Sequence, residues 1–195
     1  MSMHQIIRPE KAGLKLFKNI TALSQNAPFL FLVLAFIIDA SSLKLVTEYG
    51  GSDLPILYRI SAVWGGRAGP LLLFAALISI VTWFMTDNEE LDYDVRIMHG
   101  FTLGILFISW FLGPFATSEG IIPSELNPLL QTDLMVIHPP VVFSYYALCI
   151  ATASVAMSGV IHKKSAKEIH DSQLHWARAA FLIGTIGIGL GGLWA

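Results

Sequence analysis

Long apolar runs alternate with polar segments along this chain, and the alternation predicts helices that cross a membrane. The runs cover roughly residues 28–46, 70–85, 95–112, 141–161 and 179–195. Most approach the roughly 20 apolar residues that a helix needs to span a bilayer. We therefore predict an all-α fold: a polytopic membrane helical bundle with about five transmembrane helices.

The first 26 residues are polar and basic, and their cations alternate with apolar side chains. These cations are Arg8, Lys11, Lys15 and Lys18. Two interpretations stay open: a short amphipathic helix on the membrane surface, or a basic segment that only fixes orientation. In either case we expect residues 1–26 to form a basic cytoplasmic N-terminal tail. Residues 27–195 then form one transmembrane domain.

The composition supports a membrane protein and argues against a nucleic-acid partner. Hydrophobic residues make up 54% of the chain and charged residues only 13%, whereas soluble domains contain about 25% charged residues. The mean hydropathy is +0.64. With a net charge of −2 and no basic patch, the chain lacks the electrostatic signature of nucleic-acid binding. The lipid bilayer is therefore its expected surroundings.

Lysine and arginine are distributed unevenly over the predicted loops. If the N-terminus lies inside, the inner segments hold nine of these residues: Arg8, Lys11, Lys15, Lys18, Arg96, Lys163, Lys164, Lys167 and Arg178. The outer segments hold three: Lys44, Arg59 and Arg67. Because cytoplasmic loops are enriched in these residues, we predict a cytoplasmic (inner) membrane protein with its N-terminus inside. The C-terminus and the loop at 113–138 would then lie outside.

Residues 119–146 form a polar, proline-broken segment that leads through His138-Pro139-Pro140 into the fourth apolar run. Proline has no backbone N–H, so the proline pair is expected in the first turn of the helix that follows. His138 would then stand immediately outside that helix, at the edge of the membrane. Such a position holds an imidazole rigidly beside a dry surface.

The neighbours of His138 suggest what that imidazole could do. Asn127-Pro128 folds the loop before it, and three aromatic residues follow within two helical turns: Phe143, Tyr145 and Tyr146. A rigid imidazole beside aromatic and apolar surface suits axial ligation of haem iron. A structural loop histidine is the alternative, and these residues alone leave both interpretations open.

The other histidines are weaker candidates for a site. His162, His170 and His175 share a lysine-rich loop, and their spacing matches no metal pair on one helix face. His99, near the start of the third run, is either a functional intramembrane group or a helix-end histidine whose ring reaches water.

Three segments resemble a known family of membrane proteins. LNPLLQTDLMVIHPPVVFSYYAL, which begins at Leu126, resembles the LNPLLQ…HPP segment of the CcmF/NrfE branch of haem-handling proteins, which mature c-type cytochromes. LPILYRISAVWGGRAGPLLL, which contains Trp64, resembles that family's LPxxYK…WGxHEGSxLLW segment. DASSLKLVTEYGGSDLP resembles its DFSxxYVxxHSNxxLP segment. The chain is identified as a member of this family over residues 39–195.

The resemblance implies a role in cytochrome c maturation. Family members hold haem at the outer membrane face and help attach it through thioether bonds to apocytochrome c. The resemblance implies that His138 is an axial ligand to the iron of this haem, a b-type haem handled as substrate. We expect Pro139, Pro140, Asn127 and Trp64 to complete the haem-binding residues of this chain. The chain would then act within a haem lyase (holocytochrome c synthase) system by positioning and ligand supply.

Two departures from the family pattern modify this expectation. Arg67-Ala68 stands where the family has His-Glu, so any role of those two side chains is lost or replaced. The family's tryptophan-rich WWD segment, its second outer histidine and the histidines that bind an internal haem all lie beyond Ala195. The chain thus corresponds to an N-terminal portion of such a protein.

We therefore expect a second polypeptide that carries the WWD segment and the remaining haem ligands. Small residues let helices approach closely in lipid, so this partner is expected to pack against Gly184, Gly187 and Gly191 of the fifth run. Apocytochrome c and other cytochrome c maturation proteins are further expected partners.

Two functions of other classes stay open. The chain could be a structural or docking membrane subunit that does not touch haem. It could also be a small transporter that uses Asp39, Lys44 and His99. These ionisable groups lie at span ends, where they cost little to keep in a membrane protein, and this argues against transport.

Overall fold

The computed structural model describes residues 9–86, 92–124 and 126–194, and these residues fold into seven α-helices. The helices are α1 (Pro9–Ile37), α2 (Lys44–Tyr49), α3 (Ile56–Ala62), α4 (Ala68–Met85), α5 (Tyr93–Phe111), α6 (Asp133–Ile161) and α7 (Ala166–Trp194). A single 3-10 turn, Pro128–Leu130, precedes α6. Apart from one bridge between Leu43 and Thr117, these residues form no β-structure. The all-α prediction is confirmed.

Four helical segments are long and apolar enough to cross a membrane: Lys15–Ile37, Ala68–Met85, Asp133–Ile161 and Ala166–Trp194. The fifth expected span corresponds to α5, which has 19 residues and packs against α4 and α6. Asp94, Arg96 and His99 lie in the first turns of α5, which is not among the helices that are long and apolar enough by this criterion. By length and composition, the described residues thus contain four clear spans rather than five.

The five long helices alternate in direction. Lys18 near the start of α1 donates to the Thr86 carbonyl after α4, with Nζ and O 2.6 Å apart. Ser109 near the end of α5 lies 3.4 Å from the carbonyl oxygen of Ala68 at the start of α4. The bundle therefore has two distinct ends. The His138 end holds α2, α3 and residues 112–124 and 126–132. The His162 end holds Thr86, Asp92 and residues 162–165.

Helix α1 does not begin where the sequence pattern suggested. It starts at Pro9 and continues through Pro28, which lies in its interior rather than at the start of the first span. The proline removes one helical hydrogen bond, yet the helix runs on to Ile37. The division into a tail (1–26) and a membrane domain (27–195) stays a prediction, and Arg8 lies outside the described residues.

Helix α6 also begins earlier than predicted. Its N-cap is Thr132, whose hydroxyl oxygen accepts a hydrogen bond from the Met135 amide, so the helix starts at Asp133. Pro139 and Pro140 lie inside it as the seventh and eighth residues. The prediction that the proline pair occupies the first turn, with His138 outside the helix, is therefore wrong. The strong cap at Thr132 and its acidic neighbour Asp133 start the helix one and a half turns before the prolines.

The glycines of α7 pack within this chain. A Cβ at Gly184 would lie 2.7 Å from Tyr145, and one at Gly187 would lie 3.3 Å from Val142 of α6. Because small residues let these two backbones approach closely, α6 and α7 form the most extensively packed helix pair. The glycine face is therefore unavailable to a second polypeptide, and that part of the partner prediction is wrong.

The core at the His138 end joins the short helices to the long ones. Its fully buried side chains include Leu32 and Phe36 of α1, Val63 after α3, Leu126 of the loop and Met135 of α6. Burial of such side chains stabilises a fold wherever they leave water. The beginning of α6 is thereby tied to α1 and to the loop that follows α3.

Candidate functional site

The segment before α6 is a compact turn whose polar side chains bond to its own backbone. The Asn127 carboxamide oxygen accepts from the Leu129 amide at 3.0 Å. The Gln131 amide donates to the carbonyl of Leu126 at 3.1 Å, and the Leu126 side chain is fully buried. Asn127 is exposed, and in this turn it acts as a turn-forming residue. Its side chain stabilises the turn that precedes α6.

The prolines of α6 leave backbone carbonyls without their usual partners. In an uninterrupted helix the amide of residue 139 would donate to the carbonyl of Met135, but Pro139 has no N–H. The indole Nε1–H of Trp64 donates to that carbonyl instead, with N and O 2.8 Å apart. A side chain from the α3–α4 connection thus replaces a hydrogen bond of α6.

Tight backbone packing holds Trp64 in this place. A Cβ at Gly69 would lie 1.7 Å from the Val63 carbonyl oxygen, so only glycine allows α4 to pass the Trp64 loop this closely. A Cβ at Gly66 would lie 3.0 Å from Leu45. The glycines that follow Trp64 therefore let its loop fold against α2 and α4.

His138 is half-buried between α6 and α7. Its ring meets the edge of Trp194 at a centroid distance of 5.6 Å. A Cβ on Gly191 would lie 2.9 Å from its Cε1 atom. Its Nδ1 atom is buried and has no hydrogen-bond partner among the described residues. The imidazole therefore packs against carbon atoms, and its Nδ1 makes no hydrogen bond to a described residue.

The aromatic neighbours of His138 differ from those expected. Phe143 and Tyr146 pack against Phe74 of α4, with ring centroids 5.4 and 6.2 Å away, and Tyr145 packs on Gly184. The aromatic ring in contact with His138 is that of Trp194, which sequence reasoning missed. The two residues are 56 positions apart in the sequence, and only the antiparallel packing of α6 and α7 brings them together. Local sequence patterns therefore do not predict this contact.

Arg67, which stands at the first position of the family's His-Glu pair, lies exposed at the start of α4. It lines an open cleft of about 500 Å³ at the His138 end, together with Lys44 and Glu48. These last two side chains are paired, with Nζ and Oε1 3.7 Å apart. Arg59, by contrast, donates to the Ile37 carbonyl at 3.1 Å and so covers the end of α1. At this end, Arg59 therefore stabilises the connection after α1, whereas Lys44 and Arg67 line the surface cleft.

The other histidines among the described residues lie away from His138. His99 Nδ1 is 3.1 Å from the Gln25 amide nitrogen, between α5 and α1. His162 Nε2 is 2.7 Å from Asp92 Oδ1 at the opposite end of the bundle. This hydrogen bond is the main reason why the pKa of the Asp92 carboxyl lies below its usual value. Among the described residues, no three His, Cys, Asp or Glu side chains come together as a metal site.

These features define a helical membrane protein in which a histidine with a buried, unpartnered Nδ1 lies at one end of the bundle. The chain belongs to the family described as "Cytochrome C assembly protein", whose model matches residues 64–195. It is 33% identical to the cytochrome c-type biogenesis protein CcmF of Escherichia coli over 202 residues. That match covers 94% of this chain and 30% of the relative.

Two further relatives give the same result. The cytochrome c-type biogenesis protein NrfE of Haemophilus influenzae is 30% identical, covering 84% of this chain and 27% of the relative. The cytochrome c-type biogenesis protein ccl1 of Rhodobacter capsulatus is 30% identical, covering 86% and 27%. The chain thus spans less than a third of the length of these relatives. No solved structure gives a significant match.

Proposed function

We propose that this chain takes part in cytochrome c maturation by supplying an axial ligand, His138, to haem held at the outer membrane face. The haem is a substrate, later joined by thioether bonds to apocytochrome c. The observation that supports this most directly is the unpartnered imidazole of His138 at one end of the bundle. Membership of the cytochrome c assembly family supplies the chemical context.

The surroundings of the His138 imidazole are compatible with a role as an iron ligand. A buried histidine with a purely structural role is normally hydrogen-bonded, and His138 Nδ1 makes no such bond to a described residue. Nδ1 is enclosed by the α6–α7 packing, and this leaves Nε2 as the nitrogen that can reach an iron atom. Iron ligation would use a ring nitrogen that no described residue occupies.

The remaining residues of the motif would support His138. Asn127 folds the turn before α6, and Trp64 donates to the Met135 carbonyl. Pro139 and Pro140 follow the histidine inside the helix. Each would thereby shape the haem site through the backbone around His138. The chain itself would contribute position and one ligand to a haem lyase system.

The rest of the haem site would come from outside residues 9–194. Haem held between two axial ligands needs a second ligand besides His138. A further part of the assembly would supply that ligand, together with the tryptophan-rich WWD segment. Because the glycine face of α7 is filled by α6, these groups would meet the residues described here at the exposed surface around His138 and Trp194.

The proposed orientation places the His138 end outside the cytoplasmic membrane. Lys44, Arg59 and Arg67 all lie at this end. Lys18 and Lys164 lie at the other, together with Lys163 and Lys167 near the connection between α6 and α7. An excess of lysine and arginine marks cytoplasmic segments. This distribution supports an inside N-terminus.

His138→Ala in the complete assembly tests the proposal. We expect loss of most bound haem and of cytochrome c maturation, while the amount of protein in the membrane is unchanged. His170→Ala, which changes an exposed histidine near the opposite end, is the matched control and should behave as the unaltered chain does. Normal haem content and maturation in His138→Ala would instead favour a docking subunit that does not touch haem.

A further inference from the structure

The carbonyl of Met135 needs a hydrogen-bond donor from outside its helix. Met135 is buried, and Pro139 removes the amide that would otherwise serve it. A buried carbonyl without a partner costs free energy comparable to a lost hydrogen bond. This carbonyl lies in the same turn of α6 as His138, three residues before it.

Trp64 meets this need from a distant part of the chain. Its indole Nε1–H lies 2.8 Å from the Met135 oxygen and comes from the connection between α3 and α4, 71 positions earlier. The indole packs on the same core as Met135 and Leu126. Gly66 and Gly69 allow this connection to pack closely against α2 and the start of α4. One hydrogen bond therefore ties a rigid loop to the turn on which His138 stands.

We propose that Trp64 is a positioning residue for His138: its indole N–H substitutes for the amide that Pro139 lacks and fixes the first turns of α6. Trp64 thereby sets where the imidazole stands. The role in haem ligation rests on the proposed function above. The positioning of the turn does not depend on it.

A positioning role for Trp64 can be distinguished from a role in which its ring contacts haem directly. A ring that stacks on haem would act through its π-face, and an N–H donor would be dispensable. A ring that positions α6 acts through Nε1–H, and its loss would be compensated by any new donor to the Met135 carbonyl. Pro139→Ala creates such a donor, because residue 139 then has an amide that can bond four residues back.

The test compares Trp64→Phe with the double variant Trp64→Phe/Pro139→Ala in the assembled complex. Hydrogen exchange of the amides at 135–138 reports the turn, and the haem absorption spectrum reports ligation. We expect about tenfold faster exchange in Trp64→Phe, the ratio for losing about one hydrogen bond. The double variant should return both exchange and spectrum toward those of the unaltered complex.

Trp83→Phe is the matched control, because it also removes an indole N–H, one that donates to Asn19 at 2.9 Å near the His162 end. It should leave exchange at 135–138 unchanged. If Trp64→Phe does not assemble, benzothienylalanine at position 64 keeps the shape of the indole and lacks only the N–H.

Two results would overturn the proposal. One is unchanged exchange at 135–138 in both N–H-deficient variants at position 64. The other is an altered haem spectrum in Trp64→Phe that persists in Trp64→Phe/Pro139→Ala. That result would indicate that the Trp64 ring contacts haem directly. His138→Ala separates the two proposals: if it leaves the haem spectrum unchanged, ligation by His138 fails, whereas the exchange data still decide the role of Trp64.

Discussion

His138 and Gly191 are so close that the imidazole occupies the space of a side chain on the glycine. A Cβ at Gly191 would lie 2.9 Å from His138 Cε1, a separation that forces one of the two groups to move. The ring also makes an edge-to-face contact with Trp194, about one turn further along α7. The position of the imidazole is therefore set by α7 as well as by its own helix.

Gly191→Ala should displace the His138 imidazole. Overpacking of this kind typically costs about 1–3 kcal/mol, and here the ring is the group that can give way. We expect weaker haem binding and an altered haem spectrum in the complete assembly. Gly192→Ala is the matched control, because a Cβ there meets no described atom within 4 Å. Equal spectra for the two variants would show that Gly191 does not set the ring position.

A polar contact between α1 and α5 should behave as a coupled pair. Gln25 is 6% exposed, and its amide nitrogen lies 3.1 Å from His99 Nδ1. Removal of one partner leaves a buried polar group unsatisfied, whereas removal of both is nearly neutral. We expect His99→Leu to lower the thermal stability of the complex and the double variant Gln25→Leu/His99→Leu to recover most of it.

The double-mutant cycle should give a coupling of about 1 kcal/mol, a magnitude seen for side-chain hydrogen bonds in membranes. Haem content should stay near that of the unaltered complex in all three variants. Strictly additive effects would mean that the two side chains do not interact.

Chemical labelling of introduced cysteines should reveal the orientation. Cys149 is first changed to serine, since it is the single cysteine of the chain. Ser124→Cys, on the exposed loop of the His138 end, should then react with an impermeant reagent added outside. Lys167→Cys, exposed at the other end, should react only after the membrane is opened. The reverse pattern would place the His138 end in the cytoplasm.

The apolar runs predicted the long helices well, because lipid requires every backbone group in a span to bond within its own helix. Helices α4, α6 and α7 cover the second, fourth and fifth runs. The exact start of α6 was missed, because the rule that excludes proline from helix interiors assumes that no outside donor is available. Trp64 supplies one, and nothing local to the prolines reveals it.

The candidate site was only partly predictable for the same reason. His138 and its motif stand out locally, as does the turn formed by Asn127. The contacts of His138 with Gly191 and Trp194 depend on how α7 returns alongside α6. Such long-range pairing leaves no trace in local spacing. The glycines of α7 predicted close helix packing correctly but did not identify α6 as the helix that fills their face.

The most direct test of the account is the haem spectrum of His138→Gly in the complete assembly, recorded with and without added imidazole. The substitution removes the ligand and leaves a cavity between α6 and α7 that free imidazole can enter. We expect the low-spin signature of histidine ligation to be lost in His138→Gly and to return as imidazole is added. Retention of the unaltered spectrum in His138→Gly without imidazole would contradict it.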